Sequence, residues 1–335
     1  MLLQLAVMLV VIVIAAEVFT NALEHLGERL RISQGVTGSL FAAVGTALPE
    51  SLIPILAIFA GTEDVATNEE ISVGAILGAP LMLSTVALFL MALAASGKRG
   101  LKGVLRPEPR GLRRDLDLFL LAFGIAAAAL FIPLRSGYLR AVHIAISAGL
   151  LLIYFVYVLT TVRASASLVA EGHGTRASRR MFANVLGLPD VPATVILQIA
   201  AGLLLLVYGA HGFILVIEQV SAAWGVSALL LSLLIVPLAT ELPEKINSIT
   251  WIRRGEDTLA FGNITGAMMF QGSVLPAIGI LLTPWALRPE VLAGVLVTIG
   301  GALWLRIALY RGWMQVWVFG LNGLLYAGYL ALMLL

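Results

Sequence analysis

Residues 45–50 read Gly-Thr-Ala-Leu-Pro-Glu, and residues 239–244 read Ala-Thr-Glu-Leu-Pro-Glu. Both copies lie inside long apolar stretches, where an ionised carboxylate costs about 2.5–3.5 kcal/mol in a membrane-spanning helix. A glutamate at that depth marks an ion path or a proton relay by default. Each copy also holds a proline, which interrupts the backbone hydrogen bonding of a helix. Two such segments in corresponding halves of a chain indicate the ion site of a transporter.

The composition is that of a protein with many membrane-spanning helices. Of the 335 residues, 60% are hydrophobic and 12% charged, and the mean hydropathy is +1.00. Soluble domains carry about 25% charged residues. The net charge is only +2, and the basic residues lie in several loops rather than in one patch, so we expect no nucleic-acid partner. No protein partner is evident from the sequence. The absence of cysteine excludes disulfides and thiolate sites.

Hydropathy predicts an all-α polytopic membrane protein with ten transmembrane helices, since about 20 apolar residues are needed for each span. The predicted spans are residues 2–22, 34–60, 71–95, 116–134, 138–161, 193–220, 226–251, 258–282, 291–309 and 315–334.

The basic residues predict the orientation of these spans. The loops at 29–31, 98–114, 163–180, 253–254 and 306–311 hold 17 of the 21 lysines and arginines. By the positive-inside rule these loops face the cytoplasm, and both termini face outside. We expect the chain in the cell (inner or plasma) membrane of a prokaryote, with its basic loops in contact with anionic lipids.

The chain repeats itself at an offset of 194 residues, which aligns the two motif copies. After a shorter loop, Gly74-Ala-Ile-Leu-Gly78 also aligns with Gly262-Asn-Ile-Thr-Gly266. Five spans in each half mean that the second half enters the membrane inverted. We therefore predict a first repeat at 1–162, a cytoplasmic connecting loop at 163–192 and a second repeat at 193–335. The ion site would lie at the repeat interface, near the membrane midplane.

Each motif brings several oxygen atoms to one helix face. Thr46 and Thr240 lie four residues before Glu50 and Glu244, and therefore on the same face as these glutamates. The kink at each proline frees backbone carbonyls of the preceding turn, which would face a cavity. Such oxygens suit hard cations, whereas soft metals require cysteine or clustered histidine. The expected cargo is calcium, sodium or protons, and no cofactor is expected.

These residues resemble the sodium/calcium exchanger family, within the calcium/cation antiporter superfamily. Its two repeats carry Gly-Thr-Ser-Leu-Pro-Glu on one helix and Gly-Asn-x-x-Gly-Ser-Asn-x-x-Asn/Asp on the next. The first element matches at 45–50 and 239–244, whereas the second is clear at 262–266 and degraded at 74–78. The resemblance covers nearly the whole chain and implies ten spans in two inverted halves.

The resemblance also implies a function and a set of ligands. The chain would be a secondary active antiporter, not an enzyme, and would exchange calcium for sodium by alternating access. Glu50 and Glu244 would be the central cation ligands, with Thr46 and Thr240 contributing oxygens beside them.

The departures from the family pattern change the expected ligand set. The serine after the threonine is Ala47 in the first copy and Glu241 in the second. Glu241 would either bind the cation or point into a water-filled vestibule. The asparagine or aspartate ligand of the next helix becomes Leu83 in the first half and Gln271 in the second. We favour Gln271 as a ligand over a helix–helix hydrogen bond. These changes indicate a stoichiometry that differs from the family's.

Several alternatives stay open. A proton could replace sodium, since a buried glutamate with few partners binds protons readily. The chain would then be a cation/proton exchanger for calcium, magnesium or sodium. Because Leu83 replaces a cation ligand of the family, the chain could also be a non-transporting membrane sensor descended from exchangers. An intramembrane enzyme is disfavoured, because the motif has no nucleophile–base pair and no His/Cys metal set.

Some of these residues also have structural interpretations. Glu50 and Glu244 could pair with a buried base, for which Lys245 is the candidate within the spans. Asn263 could join two helices by a hydrogen bond. The glycines at 74, 78, 262 and 266 form small-xxx-small pairs, which predict close helix packing.

Overall fold

The computed structural model describes residues 1–29, 43–132, 137–169 and 180–334. The side chains of residues 24, 27, 28, 43–49, 137, 138, 162, 164–169, 239, 243 and 334 also lie outside the description. Within these limits the chain is helical, with one isolated antiparallel bridge between Val104 and Gln315. The predicted all-α class is confirmed.

The described part of the first half has six helices and one π-helical turn. They are α1 (Leu2–Arg29), α2 (Ala43–Ala60), α3 (Val65–Met82), the π turn (Leu83–Ala87), α4 (Leu88–Arg99), α5 (Pro109–Ala129) and α6 (Gly137–Val169).

The remaining described elements begin with one short helix in the predicted connecting loop and end with a 3-10 turn and a final helix. Its elements are α7 (Phe182–Val185), α8 (Pro192–Trp224), α9 (Ala228–Thr240), α10 (Leu242–Arg254), α11 (Asp257–Gln271), α12 (Val274–Leu282), α13 (Pro289–Arg311), the 3-10 turn (Val316–Phe319) and α14 (Gly320–Leu334).

Many of these helices are long and apolar enough to span a membrane, so the chain is an integral membrane protein. Among the described residues seven helical stretches qualify: Leu2–Leu23, Val65–Arg99, Leu139–Thr161, Pro192–Trp224, Asp257–Leu282, Pro289–Arg311 and Val316–Met333. Two shorter apolar helices, Glu50–Ala60 and Ala228–Leu238, lie within further predicted spans. The total of ten spans stays a prediction.

The second motif copy interrupts its helix, whereas the first does not. Glu241 lies between α9 and α10 with a φ of −91° and a ψ of 9°. Pro243 is in the first turn of α10, where backbone N–H groups have no hydrogen-bond partner within the helix, so the missing N–H of proline costs nothing. In the first copy, α2 is continuous through Pro49. The second copy therefore ends one helix and begins another, whereas the first stays within one helix; the predicted kink at Pro49 stays a prediction.

The predicted span 258–282 is also divided, with Gly272 and Ser273 between α11 and α12. Pro276 has no N–H to donate to the Gly272 carbonyl, so the helix cannot continue regularly there. The corresponding part of the first half stays helical but widens into the π turn, whose Ser84 carbonyl accepts a hydrogen bond from Asn322 Nδ2 at 2.8 Å.

Close packing of α3 on α9 joins the two halves. A Cβ atom on Gly74 would lie 2.0 Å from Ser232 Oγ, and one on Gly78 would lie 2.2 Å from the Leu233 carbonyl oxygen. The prediction of close packing is therefore confirmed for this glycine pair. At Gly262, by contrast, no atom of the described residues lies within 4 Å of such a Cβ.

Ion pairs between loops agree with the alternation of the predicted spans. Arg99 pairs with Asp257, and Arg306 pairs with Asp117, between segments predicted on the same membrane side. On the opposite side, Arg288 pairs with Glu70 at the start of α3. The Glu70 carboxylate also accepts a hydrogen bond from the N-terminal end of α9.

Candidate functional site

The structure brings the two motif copies together in the protein interior. Glu50 on α2 is 1% exposed, Glu244 in the first turn of α10 is 1% exposed, and Glu241 at the helix break is 0% exposed. Glu50 interacts electrostatically with both Glu244 and Glu241. The motif carboxylates, which lie about 190 residues apart in the chain, are therefore near enough to influence one another, and Glu50, Glu241 and Glu244 are together called the acidic cluster.

The Glu50 carboxylate is buried without a described hydrogen-bond partner. Neither of its carboxylate oxygens has a hydrogen-bond partner among the described residues, and both are buried. Nearly all buried polar groups in proteins are hydrogen-bonded, and buried charges are paired or bind metals. A cation or a proton at the carboxylate would satisfy Glu50.

Glu241 has a charged partner within its own segment. The Lys245 ammonium lies 3.3 Å from Glu241 Oε2, as an ion pair without hydrogen-bond geometry, and donates a hydrogen bond to the Pro237 carbonyl at 3.0 Å. Lys245 is itself only 5% exposed. The structural interpretation of Lys245 as a buried base is thus confirmed, but its contact is with Glu241. The i,i+4 spacing of these two residues was the signal for this pair.

Of the two predicted threonine ligands, the structure describes the side chain of Thr240. The Thr240 hydroxyl is buried and donates a hydrogen bond to the Val236 carbonyl at 3.1 Å, which leaves its oxygen able to accept or to ligate. The Thr46 side chain lies outside the described residues, and its role stays a prediction.

Two carbonyls before Pro243 already have partners, whereas a role for the carbonyls at 238–240 in lining a cavity stays a prediction. The Val236 carbonyl accepts the Thr240 hydroxyl, while the Pro237 carbonyl accepts both the Glu241 amide and the Lys245 ammonium. Backbone groups at membrane depth need internal partners, and side chains of this segment supply them.

Gln271 comes from a third helix to reach this acidic cluster. It is the last residue of α11, directly before the break, and it is 1% exposed. Its side chain interacts with the Glu241 carboxylate, while its Oε1 has no hydrogen-bond partner among the described residues. An amide oxygen of this kind is a suitable neutral ligand for a hard cation.

Two further polar residues hold Glu244 in place. Asn263 Nδ2 on α11 donates to the Glu244 backbone carbonyl at 3.0 Å and to Ser248 Oγ at 2.9 Å. Ser248 in turn donates to the Ala260 carbonyl at 3.2 Å. The interpretation of Asn263 as a link between helices is confirmed, and its effect is to fix α10 against α11.

The first-half position that lost its ligand lies in apolar surroundings. Leu83 is fully buried in the largest hydrophobic cluster of the described residues, at the start of the π turn. In the parts of the chain that the structure describes, no three histidine, aspartate or glutamate side chains form a group that could hold a metal alone. A cation bound at the acidic cluster would therefore need neutral oxygens as well as carboxylates.

Comparisons with known proteins agree on one family. A family model described as sodium/calcium exchanger protein matches residues 1–163 and 194–335. The inner membrane protein YrbG of Escherichia coli (strain K12) is 26% identical over 291 residues, which cover 85% of this chain and 81% of YrbG.

Two solved structures have a similar fold. The H+/Ca2+ exchanger CAX superposes with a TM-score of 0.74 at 18% identity, over 100% of this chain and 82% of CAX. The sodium-calcium exchanger NCX_Mj superposes with a TM-score of 0.59 at 19% identity, over 98% of this chain and 96% of NCX_Mj. The matched family and both structures are ion exchangers rather than enzymes.

Proposed function

This chain belongs to the sodium/calcium exchanger protein family, and we propose that it is a secondary active antiporter that exchanges calcium for sodium by alternating access. The observation that carries this proposal is the meeting of Glu50 and Glu244, one from each motif copy, in the buried acidic cluster. Two carboxylates from opposite halves, held at membrane depth, mark the path of a cation.

The chemistry of the acidic cluster favours a hard cation as cargo. Glu50 and Glu244 would supply charged oxygens, while Thr240 and Gln271 would supply neutral ones. Calcium takes 6–8 oxygen ligands of this mixed kind. Glu241 and Thr46 stay candidate ligands, although the contact described for Glu241 is its ion pair with Lys245.

The proposed architecture places this cluster where both halves contribute. We propose ten spans in two inverted repeats, at 1–162 and 193–335, joined by the cytoplasmic loop 163–192. The cation site would lie at their interface, near the midplane of a prokaryotic cell membrane. Both termini would face outside, and the basic loops would contact anionic lipids.

Protons are the second candidate for the exchanged ion. The buried Glu50 carboxylate has no hydrogen-bond partner among the described residues, so a proton would stabilise it as well as a cation would. The fold is also similar to that of an exchanger named for protons and calcium. The alternative is therefore exchange of calcium, magnesium or sodium against protons.

Calcium flux into proteoliposomes tests the function. The purified protein is reconstituted with a calcium indicator inside, and uptake is started by a sodium gradient, by a proton gradient or by neither. A unit charge 4 Å from another contributes about 4 kcal/mol at an effective dielectric constant near 20, close to a thousandfold in affinity. Glu50→Gln and Glu244→Gln should therefore each reduce the flux by roughly a hundredfold or more.

Glu256→Gln is the matched control, because the same substitution is made at an exposed glutamate before α11. It should leave the flux unchanged. Uptake driven by sodium and lost in both site variants supports calcium/sodium exchange, and uptake driven only by protons supports the alternative. Thermal stabilisation by calcium without flux under any gradient would contradict transport and identify a sensor.

A further inference from the structure

A groove with a volume of about 500 Å³ lies where the end of α13 meets the loop between α4 and α5. We call it the tryptophan groove, because three of the six tryptophans of the chain line it. Its lining residues are Lys102, Trp304, Trp313, Gln315, Trp317 and Val318. Sites for small molecules typically have volumes of about 300–1,000 Å³ and mainly apolar walls. The tryptophan groove has the size and the walls of such a site, and it shares no residue with the acidic cluster.

Backbone hydrogen bonds hold the walls of the tryptophan groove in place. Gly312 ends α13 in the left-handed conformation, with a φ of 70°, and the chain turns back there. The returning segment pairs with the loop after α4. The Val316 amide donates to the Gly103 carbonyl at 2.9 Å, and the next amide, of Trp317, donates to the Leu101 carbonyl at 3.0 Å. The tryptophan groove is therefore built from both halves of the chain.

The tryptophan rings lie where the protein is expected to meet the lipid headgroups. Trp313 and Trp317 are 45% and 59% exposed, and they follow the end of the predicted span 291–309. The Trp304 ring lies 6.4 Å from the Trp313 ring, and its Nε1 donates to the Val318 carbonyl at 2.9 Å. Tryptophan is enriched at the membrane–water interface, where its apolar ring and polar N–H both find suitable surroundings. Lipid is the natural neighbour of these rings.

Two basic side chains accompany the tryptophan groove. Lys102 lines it, and Arg311 Cζ lies 5.7 Å from the centroid of the Trp313 ring. Neither side chain forms an ion pair with a carboxylate of the described residues, whereas Arg306 on the same helix pairs with Asp117. The six lining residues include no acid. Two positive charges beside aromatic walls are therefore available to an anion that also has an apolar part.

We propose that the tryptophan groove binds an anionic phospholipid of the cytoplasmic leaflet. Its headgroup interacts with Lys102 and Arg311, and its acyl chains lie along the tryptophan rings. Basic pockets at the cytoplasmic ends of membrane-spanning helices bind anionic headgroups in this way. Because Lys102 belongs to the first half of the chain and Arg311 to the second, the lipid links the two halves. The site is a lipid site whichever ions the protein exchanges.

Quenching of tryptophan fluorescence by lipids with brominated acyl chains tests the site, because bromine quenches a tryptophan only at close range. The full chain is purified in detergent, and brominated phosphatidylglycerol, which is anionic, or brominated phosphatidylcholine, which is zwitterionic, is added to the micelles. A basic side chain near the headgroup contributes about fivefold in affinity, and two contribute roughly 25-fold. Half-maximal quenching should therefore require roughly 25-fold less of the anionic lipid. Equal quenching by both lipids would refute the proposal.

Charge variants test the headgroup contact. Lys102→Gln together with Arg311→Gln should reduce the preference for the anionic lipid to about twofold or less. Arg253→Gln together with Arg254→Gln is the matched control, because it removes two exposed positive charges from another loop predicted on the cytoplasmic side. This control should keep the preference. An equal loss in both double variants would show attraction by the overall surface charge and would contradict a defined site.

Tryptophan variants test where the lipid lies. Trp313→Phe together with Trp317→Phe keeps apolar walls but removes two reporters, and should abolish most of the quenching at low amounts of anionic lipid. Trp224→Phe is the control, because Trp224 is 54% exposed at the end of α8, on the predicted outer side. It should leave that quenching unchanged. Quenching that survives in the double variant and disappears in the control would place the lipid elsewhere and refute the proposal.

Inorganic phosphate distinguishes a lipid from a soluble anion. Phosphate carries the charge of the headgroup without the acyl chains, so millimolar phosphate should not reverse the quenching by brominated phosphatidylglycerol at constant ionic strength. Reversal by phosphate would show that the groove binds the anion alone, which would overturn the proposal of a lipid site.

Discussion

Replacing Gly78 by alanine should force apart two helices that now touch through their backbones. The added Cβ would lie 2.2 Å from the Leu233 carbonyl oxygen and 2.7 Å from Pro237 Cγ. Both neighbours belong to α9, one to two turns before the helix break at Glu241. Normal carbon–carbon contacts are about 3.5–4.0 Å, so α3 and α9 would have to separate by roughly 1 Å or more.

Two opposing terms decide the size of the effect. Alanine stabilises a helix by about 1 kcal/mol relative to glycine. Forcing extra atoms into a packed interior typically costs about 1–3 kcal/mol, and more when the neighbour is backbone that cannot rotate away. We therefore expect Gly78→Ala to destabilise the protein by about 1–2 kcal/mol. Transport should fall as well, because α9 leads directly into the acidic cluster.

The assay is the thermal unfolding midpoint of the detergent-solubilised protein, measured together with calcium flux in proteoliposomes. Gly300→Ala in the middle of α13 is the matched control, because no described atom lies within 4 Å of its added Cβ. The control should have an unchanged or higher midpoint and normal flux. If Gly78→Ala matched the control in both measurements, the close contact of α3 with α9 would be refuted.

Two further predictions concern the ends of helices. Asp257→Ala removes a 5% exposed carboxylate that Arg99 binds at 2.6 and 2.7 Å, and should destabilise the protein by about 3–5 kcal/mol in thermal unfolding. Asp117→Ala, at a 50% exposed position, is the control and should cost about 1 kcal/mol or less; equal losses would contradict the argument. The hydrogen bond from the Thr67 hydroxyl lowers the pKa of Asp64 in the folded protein below its usual 3.8. The ionised Asp64 carboxylate therefore stabilises the folded state at pH values above 3.8. This contribution is lost as the pH falls through the folded-state pKa of Asp64. The midpoint difference between wild type and Asp64→Ala should shrink only in that acid range, and a difference that does not vary with pH would refute it.

The sequence predicted those features that depend on local composition. Hydropathy located the apolar helices, because burial in lipid requires apolar residues whatever the tertiary arrangement. The duplicated motif identified Glu50 and Glu244 as functional candidates, because a carboxylate in an apolar segment needs a specific reason. The i,i+4 spacing also contained the Glu241–Lys245 pair, although the partners considered for Lys245 had been Glu50 and Glu244.

Other features had no local signal. Pro49 and Pro243 occupy the same motif position, yet only the second copy breaks its helix, at Glu241. The glycines at 74 and 78 form a small-xxx-small pair in the sequence, but only the structure showed that they lie against α9. Local propensity cannot separate such cases, because the neighbouring helix decides whether a backbone group finds a partner.

The sequence by itself determined the helical membrane class of this protein, the family to which it belongs and the two segments that carry its buried glutamates. Only the tertiary structure decided that Glu50 is buried near Glu241 and Glu244, and that Gln271 reaches Glu241 from another helix. The physical reason is that hydropathy is summed along the chain. The electrostatics of a buried site depend instead on distances between helices that are far apart in the sequence.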